Sequence, residues 1–194
     1  MPSTRAEQRA QTRRALMAES RRLFATEGYA AVGLSEIVSA AGVTKGALYH
    51  HFASKAELFE AVLAEVQQEV ADRVATAADR QSDPWEQLTT GCRTFLAAST
   101  APEIQRIMLI DGPAVLGWSR WRELDEAGSG RHLEESLSAL IAAGVITPQP
   151  VAPLTRLLSG AMNEAALWLA DSSGPDDLAA TQAALSRMLA ALRT

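Results

Sequence analysis

The sequence predicts an all-α chain: a three-helix N-terminal unit, then a larger helical body. Three observations carry this reading. Alanine and leucine dominate, β-branched clusters are rare, and no segment alternates polar and apolar residues for long. Apolar residues recur at helical spacing between glycine and proline stops. Helix-start signatures recur as well, at Ser54-Lys-Ala-Glu57, Asp83-Pro84 and Thr100-Ala-Pro-Glu103.

The spacing places a first helix over about Ala10–Glu27, with Leu16, Leu23 and Phe24 on one side and Gly28 as its stop. Two short helices follow, about Leu34–Ala41, closed by Gly42, and about Thr44–His51. The Ser54/Glu57 capping box opens a long helix to about Asp79, whose apolar stripe is Leu58, Phe59, Val62, Leu63, Val66 and Val70. Asp83 and Pro84 start the next, which runs to about Ala98. Thr100 and Glu103 start another, expected to end at Asp111-Gly-Pro113. A Trp-bearing segment, Val115–Ala127, is interrupted by Gly128-Ser-Gly130 and leads to a helix over Arg131–Ala143, stopped by Gly144. Helices at about Ala152–Ala170 and Pro175–Leu192 finish the chain. The unit boundary is expected at residues 53/54, giving units 1–53 and 54–194.

At 194 residues and 47% hydrophobic content, the chain can bury a core without staples. Cys92 is the single cysteine, which excludes an intrachain disulfide and fits a reducing, cytoplasmic setting. Met1–Arg14 is charged and lacks the apolar stretch of a signal peptide, and the longest strongly apolar run, about Ala165–Ala170, is too short to span a membrane. No membrane partner is expected. The net charge of −5 hides an asymmetry: residues 1–55 carry +4 and the rest −9. A basic head on an acidic body fits a phosphate-facing surface.

The informative segment is Gly28–Phe52. Leu34, Ile37, Val38, Ala41, Val43, Leu48 and Phe52 supply inward contacts, and the second short helix leaves Thr44, Lys45, Gly46, Ala47, Tyr49 and His50 outside. This is a helix-turn-helix, whose second helix enters a DNA major groove N-terminus first. Thr44 and the helix amides suit phosphates, and Lys45 offers donors to guanine or phosphate. Gly46 and Ala47 permit close approach, and Tyr49 offers a phenol to phosphate. Lys55 is a further expected phosphate contact. A helix-turn-helix also occurs as a plain packing unit, so the geometry alone leaves that reading open.

The residue string is more specific. Gly28-Tyr29, Glu36-Ile37, Ala41-Gly42-Val43-Thr44-Lys45-Gly46, Leu48-Tyr49-His50-His51-Phe52, Lys55 and Leu58 together resemble the N-terminal domain of the TetR family of transcription regulators over about residues 10–60. The resemblance implies an all-α homodimer with a three-helix DNA-binding domain and a divergent C-terminal domain for ligand binding and dimerisation. It also implies a repressor that binds a palindromic operator and is released by a small molecule. One departure stands out. Val32-Gly33 replaces the hydroxyl residue that relatives commonly place at the start of the second helix, so Ser35 is the substitute candidate there. Glycine at an N-cap costs only about a few tenths of a kcal/mol against Ser or Thr, but the hydroxyl contact goes.

In the body, Trp118, Trp121, Phe95, Ile107, Met108 and Met162 are expected to line a cavity for a small apolar or aromatic ligand, with Asp111, His132 and Asn163 as polar anchors. Each of these also reads as an ordinary core residue. The Asp111-Gly-Pro113 break is the expected opening. The resemblance assigns the dimer interface to the last two helices, and Leu154, Leu158, Ala161, Ala165, Trp168, Leu185, Met188 and Leu189 are the candidates; the alternative is that these stripes face the core of one protomer. His50 and His51 are adjacent and diverge on a helix, so no metal or other cofactor site is expected. Cys92 reads as a small apolar side chain rather than a redox sensor. No catalytic motif is present, and the adjacent acids Glu134-Glu135 and Asp176-Asp177 read as solvated faces. The competing function is a dimeric DNA binder that needs no ligand.

Overall fold

The first helix starts earlier than the spacing predicts. In the computed structural model α1 spans Arg5–Glu27. The Thr4 hydroxyl accepts from the Glu7 amide at 3.2 Å, and the Glu7 carboxylate accepts from the Thr4 amide at 2.6 Å. This reciprocal cap holds a polar turn that no apolar stripe announces. The structure describes residues 4–172 and 174–194, and among them every regular element is a helix, with one isolated bridge pair, Ile146 and Arg193.

Helix α2 (Leu34–Ala40) and helix α3 (Lys45–His51) flank the Gly42 turn, where φ is +64°. Ile37, Leu48 and Phe52 are buried with Leu16 and Phe24 of α1. Helix α4 (Lys55–Ala78) is capped by Ser54, which accepts from the Glu57 amide at 3.1 Å. The Glu57 carboxylate reaches past Ser54 to the Ala53 amide at 2.7 Å. At ~1.5 Å per residue α4 is about 36 Å long, and it packs against both the head and the body.

Helix α5 (Pro84–Ser99) runs along α4, and Asp83 caps it as expected, accepting from the Glu86 amide at 3.0 Å. The expected Thr100/Glu103 box does not form. Thr100 instead donates to the Ala97 carbonyl at 2.9 Å, and Glu103 pairs with Arg21 of α1. Ala101 precedes the short α6 (Pro102–Gln105).

The expected break at Asp111-Gly-Pro113 is absent too. The chain passes from α6 through a π-helical stretch, Arg106–Asp111, straight into α7 (Gly112–Leu116). In the wide turn the Gly112 amide bonds the Ile107 carbonyl. The matching donor for Met108 would be Pro113, which has no N–H. Trp121 supplies it: its indole N–H donates to the Met108 carbonyl at 2.7 Å. A Cβ on Gly112 would stand 2.8 Å from the Trp121 ring, so glycine is required there.

Gly117, with φ of +76°, turns the chain into α8 (Trp118–Asp125). The Gly128-Ser-Gly130 signal is a kink, as Gly128 leaves helical geometry at φ −104° and ψ −111°. Helix α9 (Arg131–Ala142) follows and ends before Gly144, where φ is +72°. Helices α10 (Val151–Asp171) and α11 (Asp177–Ala190) close the body. Ser173, between them, lies outside the described residues, as do Met1–Ser3.

Candidate nucleic-acid interface and ligand cavity

Helix α3 sits on the head with its reading face outward. Lys45, Gly46, Tyr49 and His50 are exposed, Tyr49 by 50%, while Leu48 is fully buried beneath them. Thr44 is the N-cap: its hydroxyl oxygen accepts from the Ala47 amide at 3.2 Å. Ala47 is half-buried. Ser35 is exposed in the first turn of α2, whose N-cap Gly33 makes no side-chain bond. The reading-helix candidates therefore share one accessible surface. Behind it lies a basic corner. Arg13 stacks on the Phe52 ring at 5.3 Å, and burial, with Arg9, His50 and Arg13 nearby, lowers the pKa of the half-buried His51.

Lys55 differs from its expectation. Its ammonium lies 4.1 Å from the centre of the Tyr29 ring, and burial lowers its pKa against the opposing pull of Asp111. Asp111 differs more. It anchors no cavity: its carboxylate accepts from the Tyr29 amide at 2.8 Å. Arg106 donates to the Glu27 carbonyl at 3.1 Å, beneath Gly28. Around this joint Phe24, Tyr29 and Phe59 pack edge to face or tilted, with ring centres 5.1 to 5.7 Å apart. Arg21 adds ion pairs to Glu69 of α4 at 2.7 Å and to Glu103 of α6 at 2.5 Å. The head is thus fastened to α4 and to the α6–α7 helix.

The body contains a cavity of about 240 Å³. Val74, Ala75 and Ala78 of α4, Leu88, Gly91, Cys92 and Phe95 of α5, Leu133 of α9 and Met162 of α10 form its apolar wall. Asp79, Gln87, Asp125, Ser129, His132, Ser136 and Ser159 are its polar members. Of the nine expected ligand residues it brings together Phe95, His132 and Met162. The others lie elsewhere. Ile107, Met108 and Trp121 are core, because Trp121 serves the π-helical carbonyl. Trp118 is 62% exposed and stacks on Trp121 with ring centres 4.9 Å apart. Asn163 is buried but outside the cavity wall, and its amide finds no partner. The missed members had a signal. The small residues Gly91 and Cys92 in mid-helix and the Gly128–Gly130 kink mark where helices cannot fill the space.

Asp125 is 5% exposed and lies in the wall between this cavity and a smaller one of about 120 Å³. The Arg122 guanidinium and the Ser159 hydroxyl each donate to its Oδ2 at 3.3 Å. Burial raises its pKa, against the pull of Arg122 and Ser159. Burial pushes the Cys92 thiol up to about 12, so it stays protonated.

The proposed interface residues divide. Leu154, Leu158, Leu185 and Leu189 pack inside the protomer, on the inner faces of α10 and α11. The outer faces carry Leu157, Ala161, Ala165, Trp168 and Met188, and three of these are large apolar side chains left open: Leu157 72%, Trp168 53% and Met188 52% exposed. Of the eight expected interface residues, Leu154, Leu158, Leu185 and Leu189 are therefore core, while Trp168 and Met188 stand open on the outer faces with Ala161 and Ala165 half-buried.

A family model for the C-terminal domain of tetracycline repressor-like proteins matches residues 85–192, over half of the chain, and a model for bacterial regulatory proteins of the tetR family matches residues 16–62. The chain belongs to the TetR family. It is accordingly a helix-turn-helix, DNA-binding transcriptional regulator. A solved TetR-family regulator from Pectobacterium atrosepticum is 36% identical, with 99% of this chain and 98% of that one aligned at a TM-score of 0.78. RolR in complex with its ligand resorcinol shares the fold, at 23% identity over 95% of this chain and 90% of that one, with a TM-score of 0.74. Among curated relatives, AcrR of Shigella flexneri is 42% identical over 52 residues, 27% of this chain and 24% of the relative. The TetC protein of transposon Tn10 from Escherichia coli is 27% identical over 77% of this chain and 75% of its own length. The chain spans less than half of the length of the first curated relatives it matches. No described helix of this TetR-family chain is long and apolar enough to cross a membrane.

Proposed function

We propose that this TetR-family regulator is a homodimeric repressor that binds a palindromic operator and leaves it when a small molecule fills the body cavity. One observation carries the reading: α4 enters the head at Lys55 and lines the cavity with Val74, Ala75 and Ala78, so a single helix joins the two sites. A ligand that favours one placement of the α4 C-terminal half tilts the head at the other end. Release then extends only as far as the ligand's affinities for the two placements differ.

The reading head is residues 1–53. Lys45, Tyr49 and His50 face the bases and phosphates, Thr44, Gly46 and Ala47 bring the helix close, and Ser35 flanks it. Lys55 reaches a phosphate after leaving the Tyr29 ring. Two such heads must sit about 34–36 Å apart, one helical turn of DNA. The open apolar face of Leu157, Ala161, Ala165, Trp168 and Met188 supports a two-fold contact between α10 and α11 of each copy, as in the family.

The test begins with selection of bound sequences from random DNA. The selected operator is palindromic, sedimentation gives a dimer, and affinity falls steeply with added salt. Trp168→Glu with Met188→Glu leaves a folded monomer. A metabolite screen then finds a compound that stabilises the body and lowers operator affinity. Operator binding that no stabilising compound changes would favour the ligand-independent regulator instead.

A further inference from the structure

The cavity wall is charged with one sign. Asp79 stands at its exposed rim and Asp125 lies inside, while among the described residues no Lys or Arg lines it. Among the described residues His132 is the sole basic group in the wall. The guanidinium that serves Asp125 lies behind it: Arg122 lines the smaller neighbouring cavity and stacks on the Trp118 and Trp121 rings at 5.0 and 5.3 Å.

That service is incomplete. Both donors, Arg122 and Ser159, converge on Oδ2 at 3.3 Å, long for a charge-assisted bond, where about 2.7–2.9 Å is usual. Among the described residues no donor reaches Oδ1. Oδ1 is not among the fully buried partnerless atoms, so it keeps accessible surface, and a donor arriving through the cavity can complete the set that Arg122 and Ser159 leave open. An anion in the same place meets Asp125 with no basic side chain beside it except His132.

We propose that the cavity selects an amphipathic organic cation, an aromatic or aliphatic body carrying one protonated amine, whose ammonium donates to Asp125 Oδ1. The body of the ligand rests on Leu88, Phe95, Leu133 and Met162, and Asp79 attracts the cation at the rim. This rests on the reading of the cavity as the effector site, and it narrows that site's ligand from apolar molecules in general to cationic ones.

Three probes of one skeleton test it: 4-phenylbutylamine, 4-phenylbutan-1-ol and 4-phenylbutyrate, titrated calorimetrically into the full chain without DNA. The amine binds at least tenfold tighter than the alcohol, and the butyrate weakest. Asp125→Asn weakens the amine at least tenfold and leaves the alcohol within about threefold. Equal affinities, a butyrate that matches the amine, or no binding by any probe overturns the proposal. If Asp125→Asn does not fold, the ranking on the natural chain decides alone. An amine that binds as expected but leaves operator affinity unchanged upholds the cation site and overturns the effector reading.

Discussion

The head and the body solve opposite problems with the same element. The head buries Leu48 so that Lys45, Tyr49 and His50 stand out in solvent. The body keeps Cys92, Phe95 and Met162 against space that its helices do not fill. A surface helix carries its function in its own phase, which is local. A cavity belongs to five helices at once, and no single segment shows it. The difference teaches where sequence reasoning reaches: to the face of a helix, and not to the gap between several.

The comparison breaks first at the core. Leu137 in α9 is fully buried, and Leu137→Ala should cost about 2–5 kcal/mol, read as a fall in denaturation midpoint at unchanged slope. Lys45→Ala and Tyr49→Ala sharpen it from the other side. Each should weaken operator binding by about 1–3 kcal/mol, roughly 5- to 150-fold, with the denaturation midpoint unmoved. A head variant that shifts the midpoint, or a core variant that leaves it, would dissolve the distinction between reading face and packed face.

Asp111 tests the joint between the two regions. It is half-buried and accepts from the Tyr29 amide. Asp111→Ala should cost about 1–2 kcal/mol of stability and speed hydrogen exchange at Tyr29, while leaving any cavity ligand's Kd unchanged. Loss of ligand affinity in this variant would restore the sequence expectation that Asp111 is a ligand anchor.

These contrasts explain what was legible. The helices, their glycine stops, the Asp83 cap and the outward face of α3 follow from spacing and from side-chain chemistry within one turn. The π-helical stretch did not show, because Pro113 reads as a breaker until Trp121, eight residues on, replaces the lost N–H donor. Asp111 read as a free polar group because its partner, the Tyr29 amide, is 82 residues away. Leu154, Leu158, Leu185 and Leu189 are interface candidates only through the family resemblance; a periodic stripe by itself says that a face is buried and not by whom, and here it is the protomer core that buries them. The cavity's acid, Asp125, does not stand out among the exposed charges of α8, since its partner Ser159 lies 34 residues away on α10.

The smallest expected effect lies at the seam, where the basic corner of the head can report its own occupancy. Burial holds the His51 pKa below its ordinary 6.5, and Arg9, His50 and Arg13 act in the same direction, so the free protein carries this ring neutral at pH 7. The unfolded chain takes up the proton near pH 6.5 and the folded one only further down. Stability therefore falls as pH drops below about 6.5. If a DNA phosphate reaches this corner, it opposes the arginines and favours the imidazolium, and operator binding then takes up a proton. Affinity should rise as pH falls from 7.5 to 6, by at most about tenfold per pH unit, while stability declines over the lower part of that range. His51→Gln should flatten both slopes together. An affinity slope that survives this substitution would take His51 out of the proton uptake and the phosphate contact away from the packed side of α3.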